Sequence, residues 1–165
     1  MDEVVKEKDL VSVITRAIQE HGDARDAVIP VLSEVNRAFG YIPAEALPEI
    51  RRRIHEPEEG LFLADSHLYS VASFYQMFAL HPLGRHVVRF CESAPCHVQG
   101  GRQVIKALQE ELGIKPGETS ADKKWSLIMT SCLGICGVGP IFLVDDDVIG
   151  NVTPEQVPEI LARYQ

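Results

Sequence analysis

Apolar residues recur at helical spacing through the first half of the chain and give way to short β-type runs in the second. Val11, Ile14, Ala17 and Ile18 share one helical face, and His21-Gly22-Asp23 closes that segment. A second stripe runs through Val28, Val31, Leu32, Val35 and Phe39. Asp23 or Asp26 is placed to cap it, Pro30 falls in its tolerant first turn, and Gly40 ends it. Pro43-Ala44-Glu45-Ala46-Leu47 starts a third helix that continues through Ile50 and Ile54, with Pro48 early enough to be tolerated. His55 to Gly60 reads as a polar loop. Ser66 is placed to cap a fourth helix carrying Leu68, Val71, Phe74, Tyr75 and Phe78, and His81-Pro82-Leu83-Gly84 breaks the pattern.

From there the pattern changes. Val87-Val88-Arg89-Phe90 is a short strand leading into Cys91. Val98, Val104, Ile105, Leu108 and Leu112 align along a helix that Gly113 stops. Residues 114 to 124 form a polar connection, and Trp125 to Thr130 is a second strand ending before Cys132. Ile141 to Val144 is a third strand, Asp145-Asp146-Asp147 a hairpin turn, and Val148-Ile149-Gly150 a fourth strand. Thr153, Pro154 and Gln156 open a last helix, with cap, N1 proline and capping-box glutamine, that runs to about Tyr164. Strand, helix, three strands and helix match a small thioredoxin-like sheet flanked by helices. The expected class is α+β: a helical bundle over residues 1–82, then a thioredoxin-like α/β domain over 83–165.

A chain of 165 residues can bury a core without staples. The net charge of −8, with no basic stripe, argues against nucleic acid as a partner. Arg51-Arg52-Arg53 is the one basic run, and a helix scatters three successive residues, so a solvated face is the expectation. Met1-Asp2-Glu3-Val4 has neither the apolar core of a signal peptide nor the look of a transit peptide, and no apolar run approaches the roughly 20 residues that span a bilayer. A cytoplasmic location follows as an expectation. In that reducing setting cysteines are metal ligands or redox thiols rather than structural disulfides.

All four cysteines lie between Cys91 and Cys136, as C-x4-C (Cys91, Cys96) and C-x3-C (Cys132, Cys136). Each pair follows a predicted strand, and four thiolates from two loops make a soft-ligand cage for zinc or an iron–sulfur cluster. Unliganded cysteines would act as small hydrophobes, which gives no reason for two tight pairs beside glycine or proline. Zinc pairs are most often C-x2-C, thiol–disulfide exchangers use C-x-x-C, and the plant-type ferredoxin spacing is absent. The preferred reading is a [2Fe–2S] cluster, with Cys91 and Cys96 expected on one iron and Cys132 and Cys136 on the other. A [4Fe–4S] cluster and a structural zinc stay open on count and spacing alone.

The neighbours fit a cluster. Gly100, Gly101, Gly134, Gly137 and Gly139 would let backbone N–H groups approach the sulfurs, Pro95 and Pro140 would stiffen the loops, and a helix beginning just beyond Cys96 would aim its positive end at the site. His97 is expected beside the ligands or in solvent rather than as a ligand, and the three aspartates as a solvated turn rather than a hard-metal site. No phosphate-binding glycine loop follows a strand, so nucleotide belongs on another chain.

Five stretches together carry a family resemblance: Gly40-Tyr41-Ile42-Pro43 with Glu45-Ala46-Leu47, Leu68 to Tyr75, Pro82 to His86, Cys91 to Gly100, and Cys132 to Gly137. Over nearly its whole length the chain resembles the thioredoxin-like [2Fe–2S] subunit of NADH:quinone oxidoreductase, also found in NAD(P)-linked hydrogenases and formate dehydrogenases. The resemblance implies single-electron exchange as part of an oxidoreductase, without catalysis by this chain alone. It implies Cys91, Cys96, Cys132 and Cys136 as ligands, and partners that include a subunit holding FMN and NAD(P) and further iron–sulfur subunits. It also implies a helical half that docks, membrane association only through the complex, and room for a homodimer when isolated. Ser70 and Ser73 depart from the common glycine and threonine, Gln99 stands where arginine is frequent, and Glu92 adds negative charge. The last two point to a lowered potential. The run from Asp146 to Val157 is closer to the hydrogenase-linked branch.

Overall fold

The computed structural model describes residues 9–54 and 63–164. The expected polar loop at His55 to Gly60 therefore lies outside the described residues. Contacts divide the chain into two compact units, Met1–Pro82 and Leu83–Gln165.

The first unit is helical: α1 (Leu10–His21), α2 (Val28–Phe39), α3 (Ala46–Arg53) and α4 (Asp65–Phe74). Its core gathers Ile14 and Ala17 from α1, Val31, Leu32 and Val35 from α2, Ile50 from α3 and Leu68 and Ala72 from α4. Val13, not Val11, completes the buried face of α1, and Val11 is exposed. Asp9 caps α1 through the Val11 N–H.

The expected caps of the next helices are not made. A 3₁₀ turn over Arg25–Ala27 feeds α2, so the Ala27 N–H bonds to the Ala24 carbonyl and neither Asp23 nor Asp26 caps it. The Pro43 segment forms a turn first, closed by Ala46 N–H to Pro43 C=O, and the helix begins at Ala46. Ser66 lies inside α4 rather than at its cap, because the Ala64 carbonyl already takes the His67 and Leu68 N–H groups.

Helix α4 also stops before its aromatic stripe ends. Tyr75 turns extended, Phe74 is left 77 % exposed, and Phe78 returns to the core through a turn. The basic run is a solvated face, as expected, with Arg51 and Arg52 exposed, and its arginines are also paired. Arg52 and Arg53 both bond Glu49 at 2.7 Å, and Arg51 reaches Asp65 at 3.1 Å.

The second unit is a four-stranded sheet in the order β2-β1-β3-β4, made of β1 (His86–Cys91), β2 (Trp125–Thr130), β3 (Phe142–Val144) and β4 (Asp147–Ile149). Strands β1 and β2 are parallel, with His86 opposite Trp125 and Cys91 opposite Thr130. Parallel neighbours need a long crossover, and α5 (Arg102–Leu112) supplies it. Strand β3 runs antiparallel to β1, with Phe90 opposite Phe142, and β4 forms a hairpin with β3.

Val88, Phe90, Leu127, Phe142 and Val144 pack with Val104 and Leu108 of α5 and with Val157, Ile160 and Leu161 of α6 (Val157–Leu161). The last helix is shorter than expected: a 3₁₀ turn at Pro154–Gln156 precedes α6, which ends at Leu161. Thr153 N–H donates to Gln156 Oε1 at 3.0 Å, the glutamine half of the expected capping box.

The stretch before α5 differs most from expectation. Ala94–Cys96 is already helical, His97–Gly101 forms a π-type turn, and Gly100 at φ 101° breaks the axis. The kink turns this stretch out of phase with α5, so Val98 is 84 % exposed instead of joining the apolar stripe. Among the described residues no helix is long and apolar enough to cross a membrane.

Candidate iron–sulfur centre

Side chains alternate across a strand, so the Phe90 that faces the core sends its successor to the other face. That successor is Cys91, which packs in a small cluster with Cys96, Ile141 and Leu133. Cys91 ends β1, and Cys132 stands two residues beyond the end of β2. Because β1 and β2 are parallel neighbours, the loops that follow them leave the same end of the sheet, at the carboxyl ends of both strands. The loop after β2 then crosses the end of β1 to start β3. Its Ile141 carbonyl accepts the Cys91 N–H at 3.3 Å, and Glu92 N–H bonds the Thr130 carbonyl at 3.1 Å. Strand order alone thus brings together cysteines separated by a long gap in sequence.

The structure places all four predicted residues in this region, and all four are free thiols. Cys91 and Cys96 are each 1 % exposed, Cys136 is half-buried and Cys132 faces solvent. Cys132 Sγ and Cys136 Sγ are 3.6 Å apart. That is far beyond a disulfide of about 2.05 Å, and close to the roughly 3.8 Å that a tetrahedral centre with 2.3 Å metal–sulfur bonds sets between two sulfurs.

The thiols sense one another across both loops. Burial pushes Cys91 up, but the N–H groups of Ser93 and Leu133 and the Cys96 thiol outweigh it and leave Cys91 below its ordinary value. Cys96 is pushed up to about 11 by burial, by its hydrogen bond to Cys91 and by the Cys91 charge, against an opposing N–H from Ile141. Cys136 is raised by its hydrogen bond to Cys132, then by burial and by the charges of Cys132 and Cys91. Cys96 and Cys136 thus resist ionising beside the other sulfurs. Bound cations remove that penalty, which is the chemistry of a thiolate metal site.

The donor set fits a binuclear cluster. The sulfurs fall into two interacting pairs, Cys91 with Cys96 and Cys132 with Cys136. Two donors per iron is the distribution a [2Fe–2S] unit uses. Backbone N–H groups of Ser93, Leu133 and Ile141 aim at the buried sulfurs, and Gly134 N–H reaches Cys132 Sγ at 3.4 Å from a residue at φ 83°. Such donors offset the negative charge of a thiolate cluster.

Of the five expected glycines, Gly101 is confined most tightly. A β-carbon there would stand 2.7 Å from the Cys96 carbonyl oxygen and 3.3 Å from the Phe90 ring. Gly137, by contrast, has open space around it.

The helical turn begins before Cys96, not after it, and the Ser93 N–H that precedes it bonds Cys91. His97 is exposed and lines a cleft beside Cys91 with Phe90, Glu92, Arg102, Ile105 and Met129. Asp145 and Asp146 make the hairpin turn, and the third aspartate, Asp147, begins β4. Asp145 accepts from Val87 N–H and bonds His86 Nδ1, each at 2.8 Å, and Asp147 accepts from the Tyr164 hydroxyl at 2.9 Å. Residue types could not reveal the backbone donors of Ser93, Leu133 and Ile141, because any non-proline residue could supply them.

Comparison with known proteins agrees with this geometry. Residues 14–165 match the model of the thioredoxin-like [2Fe-2S] ferredoxin family. One subunit of the NADH-quinone oxidoreductase of Escherichia coli (strain K12) is 37 % identical over 152 residues, covering 92 % of this chain and 87 % of that protein. Its namesake from Aquifex aeolicus (strain VF5) is 35 % identical over 151 residues, covering 89 % and 90 %. Among solved structures, NAD+-reducing [NiFe]-hydrogenase in the H2-reduced state shares the fold, with a TM-score of 0.64 at 22 % identity over 81 % of this chain. The match spans only 22 % of that longer hydrogenase chain.

Proposed function

Because this chain belongs to the thioredoxin-like [2Fe-2S] ferredoxin family, we propose that it holds its cluster through Cys91, Cys96, Cys132 and Cys136 and exchanges single electrons with a flavin-bearing partner subunit. The observation that carries this reading is that both cysteine pairs follow the carboxyl ends of the adjacent parallel strands β1 and β2. When bound, the cluster takes up and releases one electron at a time.

The protein's own residues do the rest. Cys91 and Cys96 anchor the inner side away from water, in contact with Ile141 and Leu133. Cys132, which faces solvent, and the half-buried Cys136 would hold the cluster on the side nearer the surface. The N–H groups of Ser93, Leu133, Ile141 and Gly134 hold negative charge without themselves ionising. Ile135 and Val138, exposed beside Cys136, would shed water under a partner surface.

The names of the curated relatives support a place as one subunit of an oxidoreductase complex. FMN and NAD(P) are assigned to a partner subunit, with further iron–sulfur subunits in the same complex. Residues 1–82 are assigned to docking and residues 83–165 to the cluster. The assigned location is the cytoplasm, with any membrane attachment made through the complex. Removed from that complex, the chain has room for a homodimer. Family membership does not favour a structural zinc or thiol-redox module.

The test uses the full cluster-loaded chain, reduced with dithionite, freed of excess reductant and mixed anaerobically with the oxidised flavin subunit. Visible absorption of the cluster should return on mixing, with one electron appearing in the flavin for each chain oxidised. A chain that stays reduced beside an oxidised flavin would refute the assignment.

A further inference from the structure

Gln99 leaves the loop of Cys96 and reaches the loop of Cys136. Its Nε2 donates to the Cys136 carbonyl oxygen at 3.4 Å. Its Oε1 and Cδ lie 3.1 and 3.3 Å from the point where a β-carbon on Gly139 would stand, and Cys96 Sγ lies 3.4 Å from that same point. One neutral amide and the Cys96 sulfur therefore both border the open space at Gly139, and the same amide bonds the peptide of Cys136. The absence of a side chain at Gly139 leaves the room for both.

The side chain is exposed, so burial of apolar surface does little to hold it there. Ordering a long side chain costs rotamer entropy, and the contacts across the two loops are what offset it. The Cys136 carbonyl also accepts the Gly139 N–H at 3.3 Å, a bond local to its own turn. The Gln99 bond joins that turn to the other cysteine loop.

We propose that Gln99 is a positioning residue of the electron-transfer site: its amide ties the Cys136 loop to the Cys96 loop and keeps the space beside the sulfurs free of charge. This rests on the cluster assignment above. Two consequences separate it from a general structural role. Leucine at this position fills similar space but donates no hydrogen bond, so the Cys136 loop loosens and the cluster is lost faster. Glutamate keeps the shape, cannot donate to a carbonyl, and places a negative charge where reduction adds another. The reduced state is thereby disfavoured.

The experiment compares the cluster-loaded full-length wild type with Gln99→Leu and Gln99→Glu in one anaerobic series. It reads cluster loss to a chelator and the midpoint potential by EPR-monitored titration. Gln99→Leu should lose its cluster at least several-fold faster. Gln99→Glu should shift the reduction equilibrium about tenfold toward the oxidised state, which for one electron is about 59 mV downward. An unchanged loss rate in Gln99→Leu, or an unchanged potential in Gln99→Glu, overturns the proposal. A wild type without a cluster fails the assignment it rests on, and a cluster-bearing wild type with unaltered variants fails the proposal alone.

Discussion

Cys132→Ala is expected to abolish the visible absorption and the reduced-state EPR signal of the cluster while leaving the metal-free fold intact. Cys132 is exposed and touches no core cluster, so truncating it removes little packing and should cost within about 0.5 kcal/mol of stability. What it removes is one sulfur of the outer pair, and Cys136 is left alone where two donors stood. An iron with an open position exchanges and oxidises readily, and occupancy should fall at least about tenfold, measured as iron per chain. Alanine is preferable to serine, whose oxygen can still coordinate. The buried partner Cys91 makes a useful contrast, because its replacement also disturbs the Ile141 and Leu133 packing and so mixes ligand loss with core loss. A Cys132→Ala chain with an unchanged spectrum would remove Cys132 from the ligand set.

Phe142→Ala carries the largest expected stability loss, about 3–5 kcal/mol. Phe142 has no exposed surface, stands opposite Phe90 on β1 and Ile149 on β4, and is among the largest fully buried side chains. Domains are typically stable by about 5–15 kcal/mol, so the loss is a large share of what holds the second unit. Because the chain has two compact units, a single unfolding curve need not be two-state. Trp125 solves this. It is the one tryptophan of the sequence and sits in the core of the second unit, so its fluorescence follows that unit alone. Urea titration of the metal-free protein by tryptophan fluorescence should show the reduced midpoint. A loss below about 1 kcal/mol would mean that the sheet does not depend on this side chain. Ile141, which precedes Phe142, accepts the Cys91 N–H, so the variant should also hold its cluster less firmly.

How far the sequence reaches differs between the periodic parts and the local ones. The β2 bounds at Trp125 and Thr130, the core positions of α2 and the stops at Gly40 and Gly113 all follow from residue type. An apolar β-type run marks β2, apolar side chains at helical spacing mark α2, and the two glycines take the left-handed backbone that ends a helix. The caps do not. Asp23, Asp26 and Ser66 were each chemically able to cap, yet backbone carbonyls of preceding turns took those N–H groups first.

Phe74 fits a buried stripe by spacing and is exposed, because the helix ends beneath it and Phe78 reaches the core from a turn instead. The kink at Gly100 that throws Val98 outward needs a positive φ that no periodicity signals. At the site, the four cysteines were legible from residue type. Their meeting depended on strand order, and the N–H groups that face them belong to residues whose side chains give no hint of it. The bond from Gln99 to the Cys136 carbonyl is of the same kind, since it joins a side chain to a distant peptide.

The central claim is that these four cysteines hold two irons and two sulfides. Iron and acid-labile sulfide analysis of the anaerobically purified chain, with EPR after dithionite reduction, tests it most directly. About two irons and two sulfides per chain with a spin-half signal is the predicted result. Zinc in place of iron, with no colour and no EPR signal even after reconstitution with iron and sulfide, would contradict it.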